Sequence, residues 1–316
     1  MTHSGNGWTG ISGPPFSFAR IFRRIPADTP PSPLREAVMS TELWYTERYE
    51  EHGAALSLKI REVLHREQSP YQNIEIFETE QFGTLMTLDG LVMVTDRDNF
   101  LYHEMMSHPA LFTHPAPKRV LIIGGGDCGT LREVLRHREV EEAVQVELDE
   151  RVTRVAERFF PELCENNQDP RARFHFTDGI TWIKEAEAGR YDVIIIDSTD
   201  PVGPAAGLFA TDFYAACHHA LADQGVLVAQ SESPLLHADL IRQCQSRMTE
   251  AGFDAVNSLY FPQFCYPSGW WSATLGRKGL AMDAFRIDAA RAFTGTRYYH
   301  AAMQQAAQVA PAFLLP

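Results

Sequence analysis

No uninterrupted apolar stretch in the 316-residue chain approaches the ~20 residues that a membrane-spanning helix needs. Cysteine is scarce as well. The five (Cys128, Cys164, Cys217, Cys244 and Cys265) are odd in number and show neither a CxxC pair nor a Cys/His ligand spacing. That excludes a disulfide scaffold and argues against a zinc site, so no metal is expected and the thiols are expected to be reduced, in a cytoplasmic setting. Positive charge is in deficit: 28 Lys plus Arg stand against 41 Asp plus Glu, a formal net charge of −13. A field of that sign repels nucleic acid and anionic membranes and attracts small cations. The first forty residues lack an acid before Asp28 and lack a continuous apolar core, so they do not read as a secretory signal. Arg20, Arg23 and Arg24 suit a transit peptide, but the Gly and Pro content argues against an amphipathic helix; residues 1–40 are expected to form a mobile extension. What remains, with 45% hydrophobic and 22% charged positions, is ordinary globular composition.

Residues 41–115 read as a small antiparallel β-domain with a connecting helix. Short apolar or alternating runs at 56–60, 74–77 and 84–88, the last followed by Asp89-Gly90, have the pattern of hairpins. A helix is predicted from 99 to 112, stopped by Pro115 and Pro117. From 116 to 316 strand and helix alternate. Strands are expected at 120–123, 143–147, 173–176, 193–197 and 226–230, with helices near 130–138, 149–160, 179–187 and 209–221. This order implies an α/β fold with a doubly wound, mostly parallel sheet, whose ligands sit beyond the carboxyl ends of the strands.

The chemistry-bearing residues fall at those strand ends. Gly124-Gly125-Gly126-Asp127-Cys128-Gly129 satisfies G-x-G-x-x-G between strand and helix, where glycine lets a ligand approach the backbone. Glu147 ends the second strand at the distance expected of a ribose-binding acid, while Asp149 suits a helix start better. Asp178, before Gly179, suits either an exocyclic amine or a helix cap. Asp197 and Asp200 flank the end of an all-apolar strand; such a pair can hold a cation, act as a base or bind a metal, unless both are merely solvated turn residues. Asp127 would oppose a pyrophosphate, which disfavours a nicotinamide enzyme and suits a cationic sulfonium nucleoside.

With these motifs in place, the sequence resembles the spermidine synthase family of polyamine aminopropyltransferases from about Glu42 onward. The resemblance rests on Tyr71-Gln72, Leu88-Asp89-Gly90, Tyr102-His103-Glu104-Met105, Gly124-Gly125-Gly126-Asp127, Val146-Glu147-Leu148-Asp149, Asp178-Gly179, the run from Asp197 to Pro204, Tyr266-Pro267-Ser268-Gly269 and Thr296-Arg297-Tyr298-Tyr299. It implies a Rossmann-like, methyltransferase-type domain in homodimers or homotetramers. It further implies aminopropyl transfer from decarboxylated S-adenosylmethionine, a co-substrate rather than a cofactor, to putrescine. Carried over by motif, Gln72, Glu147, Asp178, Gly179 and Pro204, with Gly124 and Gly126 of the loop, would hold the methylthioadenosine portion. Asp127 would take the ammonium of the aminopropyl arm. His103, Asp200, Tyr102, Gln230 and Tyr266 would line the amine groove, and Asp197 would be the catalytic base.

Three departures from the family pattern stand out. Cys128 follows the aspartate where glycine is common, Met93 replaces a common glutamine, and Phe264-Cys265 replace a common Pro-Thr. The last two lie near the amine groove, so cadaverine, agmatine and spermidine stay open as acceptors. Rival readings are an S-adenosylmethionine-dependent amine N-methyltransferase and a non-catalytic polyamine-binding protein. The remaining histidines, Trp182 and Phe159-Phe160 read as surface or packing residues.

Overall fold

The computed structural model describes residues 42–199 and 207–315. The expected extension at 1–40, Asp200 and Pro204 all lie outside the described residues. Five antiparallel strands come first: β1 (Leu43–Tyr49), β2 (Ala54–Gln68), β3 (Asn73–Thr79), β4 (Thr84–Leu88) and β5 (Leu91–Thr95), paired in chain order. The Asp89-Gly90 turn has positive φ at both residues (49° and 83°), the geometry that matches the twist of a two-residue hairpin. Strand β1 was not foreseen, because its alternation is inverted: Leu43 and Trp44 are exposed while Glu47 is its buried residue. The two edge strands nevertheless meet. Tyr45 donates to the Gly90 carbonyl, and Val92 N–H donates to Glu47 Oε2 at 2.9 Å, so the sheet curls toward a barrel. Leu58, Ile60, Phe77, Leu85 and Val92 form one core cluster of this sheet.

A seven-stranded sheet follows, in the order β11-β12-β10-β9-β6-β7-β8. Its parallel part is β6 (Arg119–Gly124), β7 (Glu142–Glu147), β8 (Ala172–Phe176), β9 (Tyr191–Asp197) and β10 (Leu221–Gln230). The antiparallel β11 (Ala255–Pro262) and β12 (Trp270–Arg277) extend it past the last strand read from the sequence. Alternate residues of the central strands feed two cores: Val120, Ile122, Val193 and Ile195 face one, and Leu121, Ile123, Ile194 and Ile196 the other. Helix α1 (Asn99–Thr113), expected as a connector, packs on α2 (Gly129–Leu135) and the large sheet and is buried along nearly its whole length. Helix α3 (Glu150–Phe159) joins the two sheets, its Val152, Val155 and Ala156 packing on Ile74, Ile76 and Met86.

The chain runs outward from β6 through β7 to β8, then crosses back to β9 and β10. The β6–β9 seam is therefore the topological switch point, where a crevice opens beyond the strand ends. Gly124 pairs with Asp197 there, and Gly125 N–H donates to the Asp197 carbonyl at 2.8 Å. A Cβ on Gly124, at φ +85°, would lie 2.1 Å from that same carbonyl oxygen. Gly124→Ala should therefore destabilise the fold by at least the ~1–2 kcal/mol of left-handed strain and displace Asp197. A fall in the denaturant midpoint together with a loss of turnover checks this.

Candidate active site

A cavity of about 620 Å³ opens at the switch point, walled on one side by the curled sheet and on the other by the ends of β6, β7, β8 and β9. Six carboxylates line it (Asp89, Asp127, Glu147, Asp149, Asp178 and Asp197), and no lysine, arginine or histidine appears among the described lining residues. A smaller cavity of about 40 Å³ adjoins it and shares Leu91, Met93, Tyr102, Ser198, Thr199 and Tyr266. Gln230 lines only the smaller one, with its amide near the Thr199 carbonyl.

Helix α1 arranges the two central carboxylates through consecutive residues. Tyr102 OH donates to Asp197 Oδ1 at 2.7 Å, and His103 Nε2 lies 3.1 Å from Asp127 Oδ2. Glu104 accepts from the backbone N–H groups of Arg297, Tyr298 and Tyr299 at 2.8, 2.9 and 2.7 Å, which ties the helix to the Thr-Arg-Tyr-Tyr motif. Met105 enters the core. Asp197 Oδ2 accepts from Thr130 Oγ1 at 2.6 Å, a contact that no sequence motif announced. Asp127 Oδ1 accepts from Gly129 N–H at 2.8 Å. Gln145 holds the glycine loop from behind by donating to the Gly125 carbonyl at 2.7 Å.

The donor-side residues divide. Glu147 is turned into the cavity and accepts from Asp149 N–H at 2.8 Å, beside Gly126. Asp178 caps α4 (Gly179–Glu185) through the N–H groups of Ile180 and Thr181 while also lining the cavity, so both roles offered by its sequence position are compatible. Gln72 lines the cavity and donates to Asp149 Oδ2 at 2.9 Å, next to Ser69 Oγ at 2.7 Å. Asp149 thus caps α3 and fastens the first sheet to it. Tyr266 OH donates to the Met93 carbonyl at 2.7 Å, and Met93 itself lines both cavities. One expectation needs correction: His103 lines neither cavity. It is buried behind Asp127, where its ring packs so tightly on Gly129 that a Cβ there would come within 2.1 Å of it.

Comparison with known proteins gives this geometry a family. Residues 99–284 match the spermine/spermidine synthase domain, and residues 43–96 match the spermidine synthase tetramerisation domain. The chain belongs to the spermine/spermidine synthase family. It is 62% identical over 271 residues to a polyamine aminopropyltransferase of Methylococcus capsulatus, covering 85% of this chain and 95% of that protein. The polyamine aminopropyltransferase of Nitrosococcus oceani is 58% identical over 272 residues, covering 86% and 95%. A solved spermidine synthase in complex with the transition-state analogue AdoDATO superposes with a TM-score of 0.83 at 38% identity, covering 86% of this chain and 93% of that one. The spermidine synthase of Thermotoga maritima gives 0.80 at 36% identity, covering 86% and 92%. The protein is accordingly an aminopropyltransferase, and the match of its first sheet to the tetramerisation domain supports an oligomer.

In this aminopropyltransferase the site's electrostatics are unequal by construction. Burial and the charge of Asp127 raise the Asp197 carboxyl above its ordinary range, against the lowering effect of His103, Thr130 and Tyr102. Burial would raise Asp127 too, but the charge and hydrogen bond of His103 and the Gly129 N–H hold it below the usual value. His103 is raised in turn: burial opposes its charge, and Asp127 and Asp197 outweigh that opposition. Burial pushes Glu147 up from 4.5 to about 7.

That last shift makes a stability prediction. A carboxyl whose folded pKa lies above its unfolded value contributes most below pH 4.5 and loses that contribution as pH rises through about 7. Glu147→Gln keeps an acceptor for Asp149 N–H and removes the charge. It should raise the thermal midpoint at pH 8, by up to a few kcal/mol in stability, and leave it unchanged near pH 4. Thermal melts of both forms across pH 4–8 check this.

Proposed function

We propose that the protein transfers the aminopropyl group of decarboxylated S-adenosylmethionine to putrescine, giving spermidine and methylthioadenosine. The observation that carries this reading is the six-carboxylate cavity with no described basic lining residue, joined to a smaller aromatic one. It suits one cationic sulfonium nucleoside and one cationic amine. The decarboxylated donor is a co-substrate, and the chemistry needs no cofactor because the sulfonium is already an activated leaving group. Glu147 takes the ribose hydroxyls, Gln72, Asp178 and Gly179 take the rest of the nucleoside, and Gly124 and Gly126 allow close backbone approach; all six line the cavity, which supports this reading. Asp127 takes the ammonium of the aminopropyl arm. The donor's missing carboxylate matters here, since intact S-adenosylmethionine would bring a negative group toward Asp127.

The acceptor arrives protonated at pH 7, because a free alkylamine has a pKa near ~10.4, and it has no lone pair to attack with. Burial lowers an ammonium and raises a carboxyl, so the cleft narrows the gap between the amine and Asp197 from both sides. Asp197 accepts the proton; Tyr102 and Thr130 fix both of its oxygens meanwhile. The freed nitrogen attacks the carbon beside the sulfur, the C–N bond forms as the C–S bond breaks, and the electron pair leaves on methylthioadenosine. Holding both substrates in adjoining cavities supplies the alignment that this in-line displacement requires.

Mass spectrometry after incubation with putrescine and each donor in turn tests the reading. An aminopropyl gain with the decarboxylated donor is expected. A methyl gain from intact S-adenosylmethionine, or binding without turnover, would overturn it. Asp197→Asn should lower kcat ~10²–10⁴-fold. Asp127→Asn, which retains an acceptor for Gly129 N–H, should raise the KM of the decarboxylated donor roughly 10–100-fold by removing one charge-assisted hydrogen bond. Thr130→Val removes a bond that lowers the Asp197 pKa, so the acid limb of the kcat profile should move to higher pH. An unmoved limb would detach Thr130 from the base.

A further inference from the structure

We infer that Cys128 and Cys164 form an oxidation site, at which a hydroperoxide converts the two thiols to a disulfide that displaces Asp127 and slows transfer. Cys128 follows Asp127 on the glycine loop. Cys164 lies in the turn after α3, packed against the cluster that holds Val155, Phe160 and Leu163. Cys128 Sγ lies 3.7 Å from the Gly126 carbonyl and Cys164 Sγ 3.7 Å from the Asp127 carbonyl, so the two thiols rest on consecutive peptide units of one loop. They are also hydrogen-bonded to each other. The segments that carry them are held in place. The Cys164 carbonyl accepts from Asn167 N–H at 3.0 Å, and Arg132 of α2 donates to the Glu162 carbonyl at 3.3 Å. Cys128, Cys217, Cys244 and Cys265 are buried, whereas Cys164 is half-buried.

Exposure sets the order of events. A small oxidant meets Cys164 first, and its thiolate is the attacking form. An S–O bond forms as the O–O bond of the peroxide breaks, leaving a sulfenic acid and hydroxide, which takes up the proton that Cys164 lost. The Cys128 sulfur then displaces the sulfenic hydroxyl. The S–S bond forms, the S–O bond breaks, and the Cys128 proton departs with the hydroxyl as water, so the two thiols lose two electrons and the peroxide becomes two waters. The Asn167 side chain hydrogen-bonds the Cys128 sulfur and supports negative charge gathering there. A disulfide holds its sulfurs about 2.05 Å apart, far closer than two hydrogen-bonded thiols, so the bond draws the glycine loop and the turn together. Cys128 already sits at φ 69°, a strained conformation with little room to absorb that pull. The displacement passes to Asp127, whose contacts with Gly129 N–H at 2.8 Å and His103 at 3.1 Å depend on where the loop lies. Its effect on turnover rests on the role proposed above for Asp127.

The test treats the full chain with hydrogen peroxide and follows free thiols, cross-linked peptides by mass spectrometry without reduction, and turnover of decarboxylated S-adenosylmethionine with putrescine. Two of the five thiols should disappear, and a peptide joining Cys128 to Cys164 should appear, lighter by two hydrogens than its separate halves. Turnover should fall roughly tenfold or more, as a misplaced binding group predicts, and a dithiol reductant should restore it. Cys164→Ser should leave turnover of the untreated enzyme unchanged and make it resistant to peroxide. Cys128→Gly, which suits the left-handed backbone, should leave a sulfenic acid on Cys164 that a 1,3-diketone labels. Survival of both thiols, a disulfide joining any other pair, or equal peroxide sensitivity in wild type and Cys164→Ser would overturn the inference. A cross-link that leaves turnover intact would overturn it as well. Should Cys128→Gly not fold, Cys164→Ser carries the test. A reduced enzyme that transfers an aminopropyl group to no amine would overturn the function proposed above and not the thiol pairing, which the cross-link map decides.

Discussion

Two half-buried carboxylates facing the same cleft repel each other, and the protein answers that repulsion differently at each. Asp127 has His103 as a partner and a backbone donor in Gly129, and these hold its carboxyl below the usual range. Among the described residues the Asp197 side chain accepts from two hydroxyls, those of Tyr102 and Thr130, and burial together with the neighbouring charge drives its pKa upward. In the reaction proposed above, environments that push two like groups apart in acidity divide binding from proton transfer between them. A symmetric treatment would have left two weak anions sharing one proton, and neither task would be done well.

The division is enforced by one helix. Tyr102, His103 and Glu104 leave α1 about 100° apart, so they reach Asp197, Asp127 and the backbone of residues 297–299 in turn. Rotating α1 would disturb all three contacts together. Gly129 allows the His103 ring to lie against the start of α2, which fixes the distance between the helices where the charges meet. Positioning on rigid elements rather than loops is what holds such a constellation to within fractions of an ångström.

The sequence made the centre of this arrangement legible and its supports much less so. The apolar run ending in Asp197 and the glycine loop are patterns with a mechanical meaning, and they announced the switch point. Periodicity also placed all five parallel strands. It missed β1, where the buried residue is a glutamate and the exposed ones are Leu43 and Trp44, a reversal that the curled sheet makes sensible, since Glu47 accepts from Val92 N–H across its edges. Thr130 carries no signal because a threonine in the first turn of a helix is commonplace. His103 was misplaced for a related reason: a motif preserves residue order, and order does not say whether a side chain faces the ligand or the group behind it. Partners distant in sequence, such as Glu104 and residues 297–299, were recorded as separate motifs although they are one clamp.

Cys128 shows how a departure from the family pattern can be absorbed. Its φ of 69° is the left-handed conformation that glycine adopts freely, which is the physical reason glycine is common at this position. A side chain here carries strain, roughly 1–2 kcal/mol. The thiol is fully buried beneath the loop, with Sγ 3.7 Å from the Gly126 carbonyl, and Cys164 Sγ lies 3.7 Å from the Asp127 carbonyl. Burial of a small apolar side chain returns a free energy of the same order as the strain. The hydrogen bond with Cys164, and burial, also hold the Cys128 thiol far above its ordinary pKa, so in the reduced protein it behaves as packing rather than as a nucleophile. Glycine at this position would relax the backbone and also loosen it. The buried cysteine packs against the loop that carries Asp127 and is absent from the described lining of either cavity.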